Sequence, residues 1–367
     1  MITRQAPGKL FIAGEYAVVE PGYPAVVVAV DRCVTVTVTT ADPAQGVVVH
    51  SDLHGGLALR CVRAAHRVVA AGAGTSGEFA PVLAAATVVE QLAAERGHSA
   101  TPFRLAVTGR PLFACDGRKF GLGSSSAVTV ATIAALSAHY GLDLSTMDRY
   151  RLAMLATLAT NPNASGGDVA ASTWGGWLAY HAPDRAQVSA LVTHHGVDGA
   201  LRTDWPRLRV RRLRAPSSLQ LYVGWTGEPA STPAMVARSR GTDWRNSDCY
   251  NDFLTASAGS VLRLIDALDA DDAAGVLREI RRCRRILTEL DDATALGIMT
   301  PRLETLCAAA ESVGAAAKPS GAGGGDCGIA LLRADASRAS VDLIDLWTRA
   351  GIRPLPLHVH TAEEALR

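Results

Sequence analysis

The chain has 367 residues, of which 48% are hydrophobic and 19% charged, and its formal net charge is +1. That length suggests two domains, and a near-zero charge gives no global pull toward nucleic acid or an anionic membrane. Seven scattered cysteines without a C-x-x-C pair are expected to be free thiols in a reducing cytoplasm. No apolar run reaches the roughly 18 residues of a membrane span, and MITRQAPGKLFIAGEYAVV lacks the basic-then-apolar build of a signal peptide.

LFIAGEYAVV and AVVVAVDRCVTVTVTT read as strands joined by a PGYP turn. Alternation of Val34, Val36 and Val38 with Thr35, Thr37 and Thr39 predicts a half-exposed strand. Residues 41–78 are weakly patterned. Residues 81–97 predict a helix, 103–109 a strand, 127–141 a buried helix ending at a glycine, and 147–160 another helix. NPNASGGD is a Gly/Ser loop, followed by a short helix and a strand in VAASTWGGWLAYH. RLRVRRLR reads as an edge strand with exposed arginines rather than a nucleic-acid patch.

A second unit begins near residue 216, which divides the chain into domains 1–215 and 216–367. It predicts strand LQLYVGW, helices over 246–268 and 272–290, a strand–glycine loop–strand in GAAAKPSGAGGGDCGIALL, a helix in ASVDLIDLWTRAG and a final strand. Mixed elements without βαβ repetition indicate an α+β fold.

Three loops carry the chemistry. No G-x-x-x-x-G-K-[ST], H-E-x-x-H or G-x-S-x-G is present, which removes P-loop, zinc-hydrolase and serine-hydrolase readings, and GLGSSS lacks the third Gly of G-x-G-x-x-G. What remains is KFGLGSSSAV, residues 119–128. One helix cap needs one Ser, whereas three follow a G-x-G here. Gly121 and Gly123 let backbone approach a ligand, and Ser124, Ser125 and Ser126 bring amides and hydroxyls to the positive helix end. The dipole alone supplies about 0.3–2 kcal/mol to an anion, so a triphosphate needs lysines and Mg²⁺ as well.

PGKLFIAGEYAVVEPGYPAV (7–26), KFGLGSSSAVTVA (119–131) and KPSGAGGGDCGIAL (318–331) resemble, in order and spacing, the three motifs of the GHMP kinases. Within that family GRKFGLGSSSAVTVA, ASGGDVAASTWGGW, VGWTGEPAST and KPSGAGGGDCGIALL resemble the bacterial-type phosphomevalonate kinases. Mevalonate kinases of the family usually carry an acidic Mg²⁺ ligand on the helix before the Asp loop, and LATLATNPNASGGD has no acid until Asp168.

The resemblance implies an N-terminal ribosomal-S5-like domain, a C-terminal ferredoxin-like domain and an active site in the cleft between them. It implies transfer of the γ-phosphoryl of ATP to the phosphate of (R)-5-phosphomevalonate, by a cytoplasmic monomer or homodimer; the alternatives are mevalonate or another small molecule as the acceptor, or a non-catalytic sensor of the same fold. Lys9, Lys119 and Asp168 are the expected catalytic residues. Asp168 is either a general base or an orienting partner of Lys9; pairing with Lys9 is expected, because a phosphate acceptor hardly needs deprotonating. Gly121, Leu122, Gly123, Ser124, Ser125 and Ser126 are expected on ATP, with the Ser125 hydroxyl on Mg²⁺. Glu15, Tyr16, Ser165, Gly166, Gly167, Ser231, Ser320, Gly321, Ala322 and Gly323 are expected on the substrate. Trp174 and Trp177 read as core, His358 as structural, and Arg284 and Arg285 as an exposed helix face or a further site.

Overall fold

The computed structural model describes residues 1–42, 46–64, 67–72, 76–230, 235–236, 239 and 243–361. Valine-rich residues 24–40 form one 17-residue strand, β2, which organises the first sheet. It pairs antiparallel with β1 (Ile2–Ala13) from Ile2↔Val38 to Ala13↔Val26, with irregularities at Pro7/Gly8 and Phe11/Ala13. The first irregularity turns β1 toward the serine loop: the Lys9 amide donates to the Leu122 carbonyl at 2.8 Å. Gly8 is obligatory there, since a Cβ would stand 2.7 Å from that same oxygen.

The weakly patterned stretch 41–78 contains three strands that alternation did not reveal: β3 (Val47–Ser51), β4 (Leu57–Ala64) and β5 (Arg67–Ala70). In β4 only Leu59 and Cys61 are buried, so the apolar period is too short to read. With β6 (Phe103–Thr108), β7 (Trp177–His181) and β8 (Arg209–Leu213), the order is β8-β7-β2-β6-β3-β4-β5, with β1 on β2. β8 is an edge strand with exposed arginines, as expected. Helices α1 (Ser76–Glu95), α2 (Ser124–His139), α3 (Thr146–Thr160) and α4 (Gly167–Trp174) pack on one another, and α2 and α4 lie against β1 and β2. A further helix not read from the sequence, α5 (Arg185–Arg202), is bent at Gly196, whose φ of 69° interrupts it.

The second sheet has the order β10 (Ala316–Pro319), β11 (Cys327–Arg333), β9 (Leu219–Trp225), β12 (Arg353–Leu355), antiparallel throughout. In chain order of its own strands that is 2-3-1-4, the ferredoxin-like arrangement. Its helices are α6 (Asp248–Asp269), α7 (Ala273–Thr294), α8 (Pro301–Ser312) and α9 (Ser337–Arg349). Trp347 is fully buried and donates to the Leu306 carbonyl at 3.0 Å, which fastens α9 to α8. One apolar core runs through both sheets. The chain's last described residues return to the first sheet, with Val359 bridged to Val30.

Candidate active site

A cavity of about 580 Å³ takes in all three glycine-rich stretches. At its centre α2 begins without a side-chain cap, with Gly123 at φ 74° as its N-cap. The first intrahelical bond is Ala127 N–H to the Gly123 carbonyl, which leaves the amides of Ser124–Ser126 directed at the cavity. Gly121 has φ 80°, and a Cβ there would sit 2.5 Å from the Asp326 carboxyl group. Hydroxyls of Ser124 and Ser125 make no hydrogen bond within the described residues, so they are open to a ligand. Ser126 differs: its buried hydroxyl donates to the Gly123 carbonyl at 2.8 Å and serves the turn. Leu122 is buried, and its carbonyl is taken by Lys9.

Both expected lysines reach the cavity. Lys119 is exposed at its edge. Lys9 extends from β1, its ammonium donating to the Gly121 carbonyl at 3.1 Å and lying 5.8 Å from the Phe11 ring centre. Lys9 and Asp168, expected to pair, both line the cavity but form no ion pair; the Lys9 ammonium bonds to the Gly121 carbonyl instead.

Asp168 lines the cavity as the second residue of α4, half-buried, and accepts from its neighbour Val169 N–H at 2.9 Å. The turn into α4 is set by Gly166, at φ 81° against Met154 and the Tyr180 hydroxyl, and by Gly167, against Phe11. These two glycines, expected on the substrate, shape the loop between Ser165 and Asp168, which do line the cavity. The Tyr180 hydroxyl donates to the Ser165 carbonyl at 2.5 Å and shares a 2.7 Å hydrogen bond with Tyr150. Burial pushes both phenols well above their ordinary pKa, so they stay protonated and keep this loop tied. Ser165 itself faces the cavity. Beside it Thr157, Thr160, Asn161 and Asn163 form a neutral polar wall.

Glu15 belongs to a buried ion pair with Lys318, a lysine that sequence reasoning did not single out. The Lys318 ammonium also donates to the Pro319 carbonyl at 2.6 Å, and the Gly321 amide reaches Glu15 at 3.4 Å. Glu15 is thereby neutralised and acts on the glycine loop rather than as a free substrate ligand. Tyr16, held at φ 60°, donates its hydroxyl to the Ala322 carbonyl at 2.5 Å. Ser320 accepts from the Phe11 amide at 3.0 Å and donates to the Phe11 carbonyl at 2.9 Å. Its hydroxyl is thereby engaged as a clamp between the first and third motifs. Gly323 is buried against Ile298 and away from the cavity, which Gly321 and Ala322 do line. Ser231 lies outside the described residues.

Asp326, which ends the GAGGGD stretch, was passed over in the sequence and lines the cavity. Its signal was visible: a charge that follows five successive Gly or Ala residues, 321–325. Burial raises its pKa, opposed by the Ala230 N–H bond and by Lys9. An apolar end of the cavity is formed by Gly77, Ala80, Pro81 and Phe113. Trp174 and Trp177 are core-side residues outside the cavity. His358 pairs with Asp31, and Arg284 with Glu311 on a separate groove.

An uncapped helix mouth faced by two ammonium groups, inside an α+β frame with a ferredoxin-like second half, defines a phosphoryl-transfer enzyme class. Residues 82–176 match the family described as "GHMP kinases N terminal domain" and residues 264–347 match "GHMP kinases C terminal". The chain belongs to the GHMP kinases. Among its relatives, the phosphomevalonate kinase of Streptomyces sp. (strain CL190) is 52% identical, over 97% of this chain and 96% of that one. The solved structure of Streptococcus pneumoniae phosphomevalonate kinase in complex with phosphomevalonate and AMPPNP is 28% identical, with a TM-score of 0.84 over 98% of this chain and all of that one. A Listeria innocua protein of solved structure is 31% identical, with a TM-score of 0.87 over 97% of both chains.

Proposed function

We propose that this chain is an ATP-dependent kinase that phosphorylates (R)-5-phosphomevalonate to (R)-5-diphosphomevalonate in isoprenoid biosynthesis. The observation that carries the reading is the 52% identity to a phosphomevalonate kinase over nearly the whole of both chains. The geometry suits it. The nucleotide's terminal phosphates would lie on the amides of Ser124–Ser126, with the base toward Gly77, Pro81 and Phe113. Lys9 and Lys119 neutralise charge on the transferring group. A lysine about 4 Å from a phosphoryl contributes on the order of 4 kcal/mol at an effective dielectric near 20.

The acceptor is a phosphate monoester with a second pKa near 6, largely dianionic at neutral pH. It therefore needs positioning more than deprotonation. Ser165, Thr157 and Asn161 offer uncharged hydrogen-bonding groups to it, and Asp168 orients it from the mouth of α4. The free hydroxyls of Ser124 and Ser125 fit Mg²⁺, a hard cation that would add positive charge to the β- and γ-phosphates. The same reading divides the chain at residue 215, between β8 and β9, and assigns the enzyme to the cytoplasm.

The test offers the purified protein ATP–Mg²⁺ with phosphomevalonate or with mevalonate and measures ADP. Turnover with phosphomevalonate and none with mevalonate is expected. The opposite preference would overturn the substrate assignment and leave the kinase class standing.

A further inference from the structure

The cavity holds three carboxylates, and two have evident occupations. Glu15 is neutralised by Lys318, and Asp168 belongs to the turn that opens α4. Asp326 has none. It sits on the anion loop itself, its carboxyl group packed on Gly121 so closely that no side chain fits between them. Oδ1 accepts from the Ala230 amide at 3.0 Å, and no cationic side chain among the described residues pairs with Asp326. Its backbone is held in the left-handed region, at φ 52°, by the Asp326 amide donating to Glu228 at 2.6 Å and by Thr226 donating to the Asp326 carbonyl at 2.9 Å. The fold thus holds a carboxylate fixed on a left-handed residue where, on the reading above, a polyphosphate must lie.

Unbridged, that charge works against the substrate. A carboxylate about 4 Å from a phosphate oxygen repels it by roughly 1–4 kcal/mol across the range from water to a protein surface. A divalent cation reverses the sign. Mg²⁺ in such sites takes one or two carboxylates together with substrate phosphates and several waters. We propose that Asp326 is the protein carboxylate that holds the divalent cation carried in with the nucleotide, across the anion loop from the Ser124 and Ser125 hydroxyls. The inference rests on the placement of the nucleotide phosphates at Gly121–Ser125.

Asp326→Asn separates this role from a structural one. Asparagine keeps a carbonyl oxygen for Ala230, nearly the same volume against Gly121, and tolerance of a positive φ; it loses the charge. Mn²⁺ binding to the enzyme–ADP complex, followed by electron paramagnetic resonance, should weaken at least tenfold. Metal-free ADP, measured by calorimetry, should bind equally well or up to several-fold tighter. Unchanged Mn²⁺ affinity overturns the proposal, and so does equal weakening of Mn²⁺ and metal-free ADP, which is what a distorted loop would give. Should the Asn variant fail to fold, Asp326→Ser is read by the same two measurements. A control isolates the underlying reading: Gly123→Ala places a Cβ 2.9 Å from the Lys9 chain at φ 74° and should abolish ADP binding. If it leaves ADP binding intact, the phosphate-loop placement fails; if it abolishes binding while Asp326→Asn leaves Mn²⁺ unmoved, the metal assignment alone fails.

Discussion

Lys9 is aimed by main chain rather than by a charge. Its amide and its ammonium both bond to the anion loop, at Leu122 and Gly121, so the loop and the cation are set by one another. Lys9→Met keeps the chain's volume and its contact with Gly123 while deleting the charge. Turnover should fall about a thousandfold, the rate equivalent of roughly 4 kcal/mol in the transition state, with the melting temperature nearly unchanged. Turnover within tenfold of the parent would remove Lys9 from the chemistry. Asp168 makes a separate prediction. Because the acceptor's own ionisation near pH 6 supplies the nucleophilic oxygen, kcat/KM should rise through about pH 6 in the parent. Asp168→Asn should lower the whole profile without moving that limb. Disappearance of the limb in the variant would make Asp168 the base.

At the scale of elements, the serine-loop helix α2, the helix α3 and the long strand β2 were legible, because each has a long apolar period in one stretch of chain; of β1 only Leu10–Ala13 was, since the apolar residues Ala17–Val19 that seemed to continue it form a 3-10 turn. The short strands β3–β5 were not, since five residues in β3, two buried side chains in β4 and four residues in β5 are too few to set a period. The glycines of SGGD were legible as a functional loop but not in their actual task, which depends on Met154 and Tyr180 arriving from elsewhere in the chain. That task is measurable. Gly166→Ala must hold a left-handed residue and displace Met154 Sδ, 2.5 Å from the new methyl group. The two costs together come to about 2–5 kcal/mol. The variant should melt measurably lower and lose acceptor affinity, since Ser165 and Asp168 flank the same turn. An unshifted melt would show that α4 has slack at its start.

Across the whole molecule, the first and third motifs form one body. Glu15–Lys318, Tyr16–Ala322 and Ser320–Phe11 each join residues about 300 positions apart. No local pattern could announce them, which is why Glu15 and Ser320 read as substrate contacts. The ion pair is fully enclosed, with Lys318 at 0% and Glu15 at 4% exposure. Enclosed pairs contribute little beyond what apolar residues of the same size would, yet removing one partner strands a buried charge at about 3–5 kcal/mol. Lys318→Met should therefore destabilise by that amount, and Glu15→Gln on the same background should recover most of it, because no charge is left to strand. Activity should behave differently. The Gly321 amide rests on Glu15 and the Gly321–Ala322 turn lines the cavity, so the double variant should melt near the parent temperature while kcat remains depressed. Thermal melts and steady-state kinetics on the four proteins of this cycle decide it. Full recovery of kcat with stability would reduce the pair to packing, and a double variant no more stable than Lys318→Met would mean that the ammonium, not the stranded carboxylate, sets the cost.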